Sequence, residues 1–252
     1  MMLPFLSRWR ERRILRRQPI AESDWQSVLG HSEPIRRLDA SDQARLRVLA
    51  TLLLHEKSLE PVQGLDLAPA QRTWLAALAC LPILKLGLHW YRGWHSFVVY
   101  PDTFVPEREY VDPAGVVHRH HTPLHGEAWQ QGPVILAWEA VAHAGDGHNV
   151  VIHEMAHKLD MLNGEANGFP PLHARMNRRT WVRALGGAYR QLEQRVREGY
   201  PPPLDPYGLE NPGEFFAVAS ETFFEAPRRL RNFSPELYQQ LSLFYRHRPL
   251  AE

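Results

Sequence analysis

The segment NVVIHEMAHKLDMLNG (149–164) contains His153, Glu154 and His157 in the order His-Glu-x-x-His. On a helix, residues four apart lie on one face, about 5 to 6 Å from each other, so both imidazoles can bind one metal ion. Zinc is commonly bound by such histidine pairs. Glu154, beside the first histidine, can act as a general base on a zinc-activated water. The spacing therefore predicts a catalytic site with one Zn2+ ion per chain.

A catalytic zinc site needs a third protein ligand and one open coordination position. The related motif with a third histidine six residues after the second is excluded, because Asn163 stands at that position. The segment PGEFFAVASETFFEA (212–226) is predicted to be a largely buried helix, in which an unpaired carboxylate would be costly. Spacing alone leaves the third ligand open among its carboxylates, which are Glu214, Glu221 and Glu225.

The elements that must position these residues follow from hydrophobic periodicity. Residues 24–57 and 69–81 have helical patterns. Residues 95–105 and 132–141 are rich in β-branched and aromatic side chains, which are typical of strands. The segment between these strands is predicted to be a hairpin or a long loop. Because the predicted order is helices, then strands, then helices, the sequence indicates an α+β fold.

The C-terminal part is predicted to be mainly helical. A helix that carries the His-Glu-x-x-His motif should begin near 146–149 and end at Gly164, a favoured helix stop. The pair Gly186 and Gly187 is expected to interrupt the following helix. The segment 199–213 has too much proline and glycine for regular structure. The remaining predicted helices are 172–198, 212–226 and 234–247.

Composition limits the class of protein. The chain has 252 residues, 44% of them hydrophobic, which suffices for one large domain. Its 29 basic and 28 acidic residues nearly cancel, so we expect no direct nucleic-acid binding and no membrane binding. The longest apolar run (74–84) is too short for a membrane span and contains Pro82. The single Cys80 excludes an intramolecular disulfide, and we expect a cytoplasmic protein.

The first 18 residues are strongly basic. Residues 1–18 contain six arginines and one glutamate, and we interpret them as a solvated basic arm that precedes one large domain at 19–252. Direct DNA binding through this arm is a weak alternative, because no helix-turn-helix or zinc-finger spacing supports it.

Five segments resemble those of the Mlc titration factor metallopeptidases, also called glucose-regulated metallopeptidases. In chain order they are PVQGLDL (61–67), CLPILKLGLHW (80–90), WQQGPVILAW (129–138), NVVIHEMAHKLDMLNG (149–164) and NPGEFFAVASETFFEAP (211–227). The catalytic part of this family is similar to the peptidase domain of anthrax lethal factor, in which a glutamate that opens an EFFA helix is the third zinc ligand. The resemblance implies that Glu214 is this ligand and that Tyr207, seven residues earlier, faces the metal.

The resemblance also implies a fold, with a zincin-like catalytic part at 86–252 and a helical N-terminal part at 19–85. A small mixed sheet would accompany an active-site helix packed against the C-terminal helices. Some related zinc peptidases place an acidic residue four positions after the third ligand to hold a ligand imidazole, but this chain has Val218 there. Asp160 or Glu221 would have to supply that hydrogen bond.

The implied activity is that of a gluzincin-type zinc peptidase that hydrolyses a peptide or protein substrate, and the family is associated with aminopeptidase-type activity. Tyr207 would donate a hydrogen bond to the developing oxyanion. An extended substrate would pair with an exposed sheet edge at Val134–Trp138, with Trp138 as a substrate-binding residue. The resemblance further implies the transcriptional repressor Mlc as a partner and a link to sugar uptake. The alternative is a zinc-containing binding protein that sequesters the repressor without catalysis.

Overall fold

The computed structural model of the protein describes residues 4–104, 108–111, 117–120 and 125–250. Helices dominate both ends of this part of the chain, and a small mixed sheet lies between them, so the predicted α+β fold is confirmed. The helices of the N-terminal part are α1 (Pro4–Arg17), α2 (Glu22–His31), α3 (Glu33–Arg36), α4 (Ala40–Glu56) and α5 (Pro69–Cys80).

The predicted helical region 24–57 is divided by side-chain caps. Ser32 Oγ accepts the amide of Ile35 and starts α3. Asp39 Oδ1 accepts the amide of Asp42 at 2.8 Å and starts α4. Each cap satisfies an amide that the first helical turn leaves without a partner, and therefore favours a new helix start at that position.

The strands form two sheets. The main sheet has the order β1-β2-β6-β5, in which β2 pairs in parallel with β1 and β6, and β5 pairs antiparallel with β6. A separate antiparallel hairpin joins β3 and β4, and the turn residues predicted at 112–115 lie outside the described residues. The strands are β1 (Ser58–Pro61), β2 (Ser96–Tyr100), β3 (Arg108–Val111), β4 (Val117–His120), β5 (Gly126–Ala128) and β6 (Val134–Ala137).

Two predictions about β6 are wrong. The strand predicted over 132–141 ends at Ala137, and a short helix, α6 (Trp138–Ala142), follows it. The strand is also not an exposed edge, because its backbone pairs with β2 on one side and with β5 on the other. The outer strand next to it is β5, which lies in the segment predicted to be a hairpin or a long loop.

The C-terminal helices are α7 (Val150–Asp160), α8 (Arg178–Arg197), α9 (Pro212–Glu225), α10 (Pro227–Phe233) and α11 (Pro235–Tyr245). The interruption predicted at Gly186 and Gly187 is wrong, since α8 runs through both residues. Burial of one apolar face, which includes Trp181, Leu185 and Leu192, outweighs the low helix propensity of two glycines.

A single hydrophobic core includes side chains from Ile20 in the N-terminal region to Tyr245 in α11. The basic segment at the N-terminus is helical where it is described, and its Ile14 is buried beside exposed arginines. Within the described chain, no helix is long and apolar enough to cross a membrane.

Candidate metal centre

Helix α7 carries the His-Glu-x-x-His motif and is almost wholly buried. Asn149 caps its start, because Asn149 Oδ1 accepts the amide of Ile152 at 3.1 Å. At its other end a short 3₁₀ turn leads to Gly164, whose φ of 146° is a conformation that glycine adopts most readily. Caps and burial together fix the direction in which both histidines point.

Helix α9 supplies the carboxylate that contacts the two histidines of α7. Asn211 Oδ1 accepts the amides of Gly213 and Glu214 at 2.9 and 3.0 Å, and Pro212 occupies the first helical position. Glu214 therefore occupies the third position, where a glutamate often folds back to complete a capping box. Its carboxylate instead contacts α7.

Three side-chain atoms converge between α7 and α9. Glu214 Oε2 lies 2.9 Å from His153 Nε2 and 3.2 Å from His157 Nε2. The two Nε2 atoms are 3.1 Å apart. One nitrogen from each histidine and one carboxylate oxygen thus face a common point, the arrangement of a three-ligand metal site.

The chemistry of these atoms fits a cation. His153 Nδ1 donates to Glu221 Oε1 at 2.6 Å, so the lone pair of a neutral ring at Nε2 points at Glu214. Burial lowers the pKa of His153, but Glu221 and Glu214 outweigh burial and raise it well above its usual value. Burial likewise raises the pKa of Glu214, yet hydrogen bonds with both histidines hold it far below its ordinary range. Positive charge is therefore favoured where the three atoms meet.

Glu221 links one histidine to the start of α7. Besides His153, it binds the backbone amide of Asn149, which donates to Oε2 at 2.6 Å. Asn149 Nδ2 in turn donates to Glu225 Oε1 at 2.7 Å. Of the three carboxylates on α9, Glu214 thus faces both histidines, Glu221 orients His153, and Glu225 supports the helix cap.

Asp160 lies on the same helix as the histidines but has a different partner. Its Oδ2 accepts the amide of Gly168 at 2.7 Å, and burial raises its pKa to about 6. Asp160 Oδ1 and His157 Nδ1 are both buried without a hydrogen-bond partner in the described residues. The described residues therefore include a carboxylate that orients His153 through Nδ1, but none within hydrogen-bond distance of His157 Nδ1.

Glu154 is buried beside the three converging atoms, with 4% of its surface exposed. Burial raises its pKa, and the two histidines oppose that effect. Glu154 Oε2 has no hydrogen-bond partner among the described residues. In this part of the chain, one carboxylate oxygen next to the site is thus left without a hydrogen bond.

Tyr207 lies in a 3₁₀ turn (Pro206–Leu209) before α9. Asp205 Oδ1 accepts its amide at 2.9 Å, and its ring centroid is 6.0 Å from that of His153. Burial raises the pKa of Tyr207 to about 12, and Glu214 and Glu154 contribute in the same direction. The phenol therefore keeps its proton and can donate a hydrogen bond.

Trp138, by contrast, begins α6, and its ring packs edge-on against Trp74 of α5 at 6.0 Å. In the described chain, no hydrogen bond or ring contact joins it to His153, His157 or Glu214. Its assignment as a substrate-binding residue stays a prediction.

Gly126 in β5 is a site residue that the sequence reading missed. A Cβ atom at this position would overlap Glu154 Oε1 and would lie 2.7 Å from Val150 Cγ2. The absence of a side chain therefore lets β5 pass directly over the carboxylate of Glu154. A glycine inside a short strand is a known signal of close approach, but β5 was not recognised as a strand.

Comparison with known proteins gives a consistent result. The family model described as glucose-regulated metallo-peptidase M90 matches residues 6–246. The Mlc titration factor A of Yersinia enterocolitica is 39% identical over 241 residues, which cover 93% of this chain and 90% of that protein. The protein of the same name from Yersinia pestis is 39% identical over 221 residues, covering 85% and 81% respectively. The resemblance seen in the sequence is confirmed, and the chain belongs to the glucose-regulated metallopeptidase family M90, that of Mlc titration factor A.

Proposed function

We propose that the protein is a zinc-dependent peptidase of the gluzincin type, with a zincin-like catalytic part. The observation that carries this proposal is the convergence of His153 Nε2, His157 Nε2 and Glu214 Oε2 within 3.2 Å of one another. Two imidazoles and one carboxylate are a ligand set of catalytic zinc, which leaves a position open for chemistry. Membership of a metallopeptidase family supports the same conclusion.

Three residues of this chain would perform the steps of hydrolysis. When bound, zinc supplies a Lewis acid that polarises the scissile carbonyl and lowers the pKa of water. Glu154 takes the proton of the attacking water and passes it to the leaving amine. Glu221 holds the ring of His153 in place through Nδ1, and Tyr207 donates a hydrogen bond to the oxyanion.

The outer strand β5 is the surface on which we place the substrate backbone. Its inner side pairs with β6, and Gly126 brings its backbone against Glu154. An extended peptide that adds to an outer strand forms main-chain hydrogen bonds with little dependence on side chains. β5 thus takes the role of the exposed edge that the sequence predicts at Val134–Trp138.

Removal and return of metal test the proposed activity. The purified protein should contain about one zinc per chain, the stoichiometry of a three-ligand site, and should cleave members of a mixed peptide library. A chelator should abolish cleavage, and zinc should restore it. Peptides with free and blocked N-termini would separate aminopeptidase from endopeptidase activity. Full zinc occupancy without cleavage of any peptide would contradict the proposal.

Gly126→Ala is expected to impair catalysis without removing the metal. The added methyl group would overlap Glu154 Oε1, so the carboxylate or β5 must move. Misplacement of a reacting group by about 1 Å can cost about 100-fold in rate, and we expect kcat to fall by a factor of that order. Zinc content and steady-state kinetics on one peptide would measure both effects.

Gly187→Ala is the matched control for this substitution. Gly187 is in α8, and apart from the backbone of that helix no atom of the described residues lies within 4 Å of a Cβ placed there, so this change should leave kcat unaltered. Equal kinetics for the two variants would show that the close approach of Gly126 to Glu154 has no catalytic consequence.

A second candidate function is supported by the names of the relatives. Proteins 39% identical to this chain are called Mlc titration factor A. We propose that this chain also binds an Mlc repressor, in the cytoplasm, where sugar-uptake genes are regulated. If repressor binding were the sole function, zinc would serve only to maintain the binding surface. Binding of purified Mlc by Glu154→Gln as tightly as by wild type, with no peptidase activity in either, would favour it.

A further inference from the structure

Lys158 is a buried cation beside the proposed site that the reaction itself does not use. It follows Glu154 by four residues, so both side chains lie on one face of α7. Only 3% of its surface is exposed. Burial of an ammonium group is expensive unless it is hydrogen-bonded, and its partners therefore indicate what it does.

Those partners are two backbone carbonyls of the turn that joins β5 to β6. Lys158 Nζ donates to the carbonyl of Trp129 and, at 2.9 Å, to that of Gly132. The turn is also closed by the amide of Trp129, which donates to the carbonyl of Pro133 at 3.2 Å. The Lys158 side chain is thus hydrogen-bonded to both ends of the turn, at Trp129 and at Gly132.

Glu154 and Lys158 contact the two ends of the same short strand. Gly126, where β5 begins, lies against the Glu154 carboxylate, and Trp129, just after β5 ends, accepts from Lys158. β5 is only three residues long, and among the described strands it pairs with β6 alone. Its position along α7 therefore depends strongly on the hydrogen bonds of Lys158.

We propose that Lys158 is a positioning residue that holds β5 against α7, so that Gly126 confines the Glu154 carboxylate and the strand presents its outer side to a peptide. The part that concerns catalysis rests on the proposed peptidase function. The part that concerns β5 does not, because it follows from the contacts of Lys158.

The experiment compares Lys158→Met with Lys57→Met. Lys57 is also buried, and its Nζ donates to two carbonyls, those of Tyr91 and Trp94. Both ammonium groups lie over the Trp94 ring, at 4.4 Å for Lys57 and 5.1 Å for Lys158. Methionine keeps most of the side-chain volume and removes the donors, so both variants lose a cation over Trp94 and two hydrogen bonds, but only Lys158→Met loses those to the turn between β5 and β6.

Hydrogen exchange measures the position of β5 without reference to activity. In Lys158→Met, amides of 126–136 should exchange faster than in wild type, whereas Lys57→Met should leave that segment unchanged. Zinc content should equal that of wild type in both variants. Equal exchange of 126–136 in the two variants would overturn the proposal, whether or not the wild type cleaves peptides.

Kinetics test the catalytic part. We expect kcat/KM of Lys158→Met to fall by about 10- to 100-fold, with a decrease in kcat as Glu154 loses its fixed position, and that of Lys57→Met to stay within about twofold of wild type at a temperature where both are folded. Faster exchange with unchanged kcat/KM would overturn the catalytic part alone. If zinc-loaded wild type cleaves nothing, the proposed function fails, and the exchange comparison still decides the placement of β5.

Discussion

Glu214→Ala is expected to abolish stoichiometric metal binding and, with it, peptide hydrolysis. The substitution removes the only carboxylate oxygen found between His153 Nε2 and His157 Nε2 in the described residues. Two imidazoles alone provide neither the third ligand nor the negative charge that a divalent cation favours at this point. Elemental analysis after dialysis against metal-free buffer should show wild type near full occupancy and the variant near zero.

Glu221→Gln is the matched comparison on the same helix. Its carboxylate contacts Nδ1 of the His153 ring, on the side away from the point where the two Nε2 atoms and Glu214 Oε2 converge. Loss of such a supporting hydrogen bond typically weakens metal binding by about 10- to 100-fold, so this variant should retain zinc at high metal concentration. Metal retained in Glu214→Ala and lost in Glu221→Gln would move the third ligand to Glu221.

The difference between these two glutamates shows which residues of the site could be predicted from the sequence. His153 and His157 follow from spacing alone, because the geometry of one helix brings residues four apart together. No local rule distinguishes Glu214 from Glu221, which are seven residues apart on nearly the same face of α9. Their selection depends on how α9 crosses α7, a long-range packing result. The family resemblance indicated Glu214, and the structure places it next to both histidines.

The environment of Glu154 was harder to predict. Gly126 and Trp129 lie in a segment without a clear hydrophobic periodicity. A three-residue strand is too short to show the alternation of apolar and polar residues that predicts a strand. The parallel pairing of β1 with β2 was also missed, because it joins residues that are distant in the chain. β1 and β5 are specified by their neighbours in the sheet more than by their own sequence.

Replacement of Glu154 by glutamine should preserve the metal and stop turnover. Glutamine has nearly the same shape, so it can occupy the space beside Gly126, but its amide cannot accept a proton from water. General base catalysis typically contributes about 10²- to 10⁴-fold, and we expect kcat to fall by a factor in this range. Because Glu154 Oε2 has no hydrogen-bond partner in the described chain, the substitution disrupts no protein contact at that oxygen.

Glu225→Gln separates the effect of losing the base from the effect of losing a half-buried negative charge near α7. Its Oε1 accepts from Asn149 Nδ2, a bond that an amide oxygen can also accept, so zinc content and kcat should remain those of wild type. Peptide cleavage by Glu154→Gln at a rate near that of wild type would refute the assignment of the base. Loss of zinc in Glu154→Gln would instead mean that Glu154 helps to hold the metal, and the proton acceptor would have to be sought elsewhere around the site.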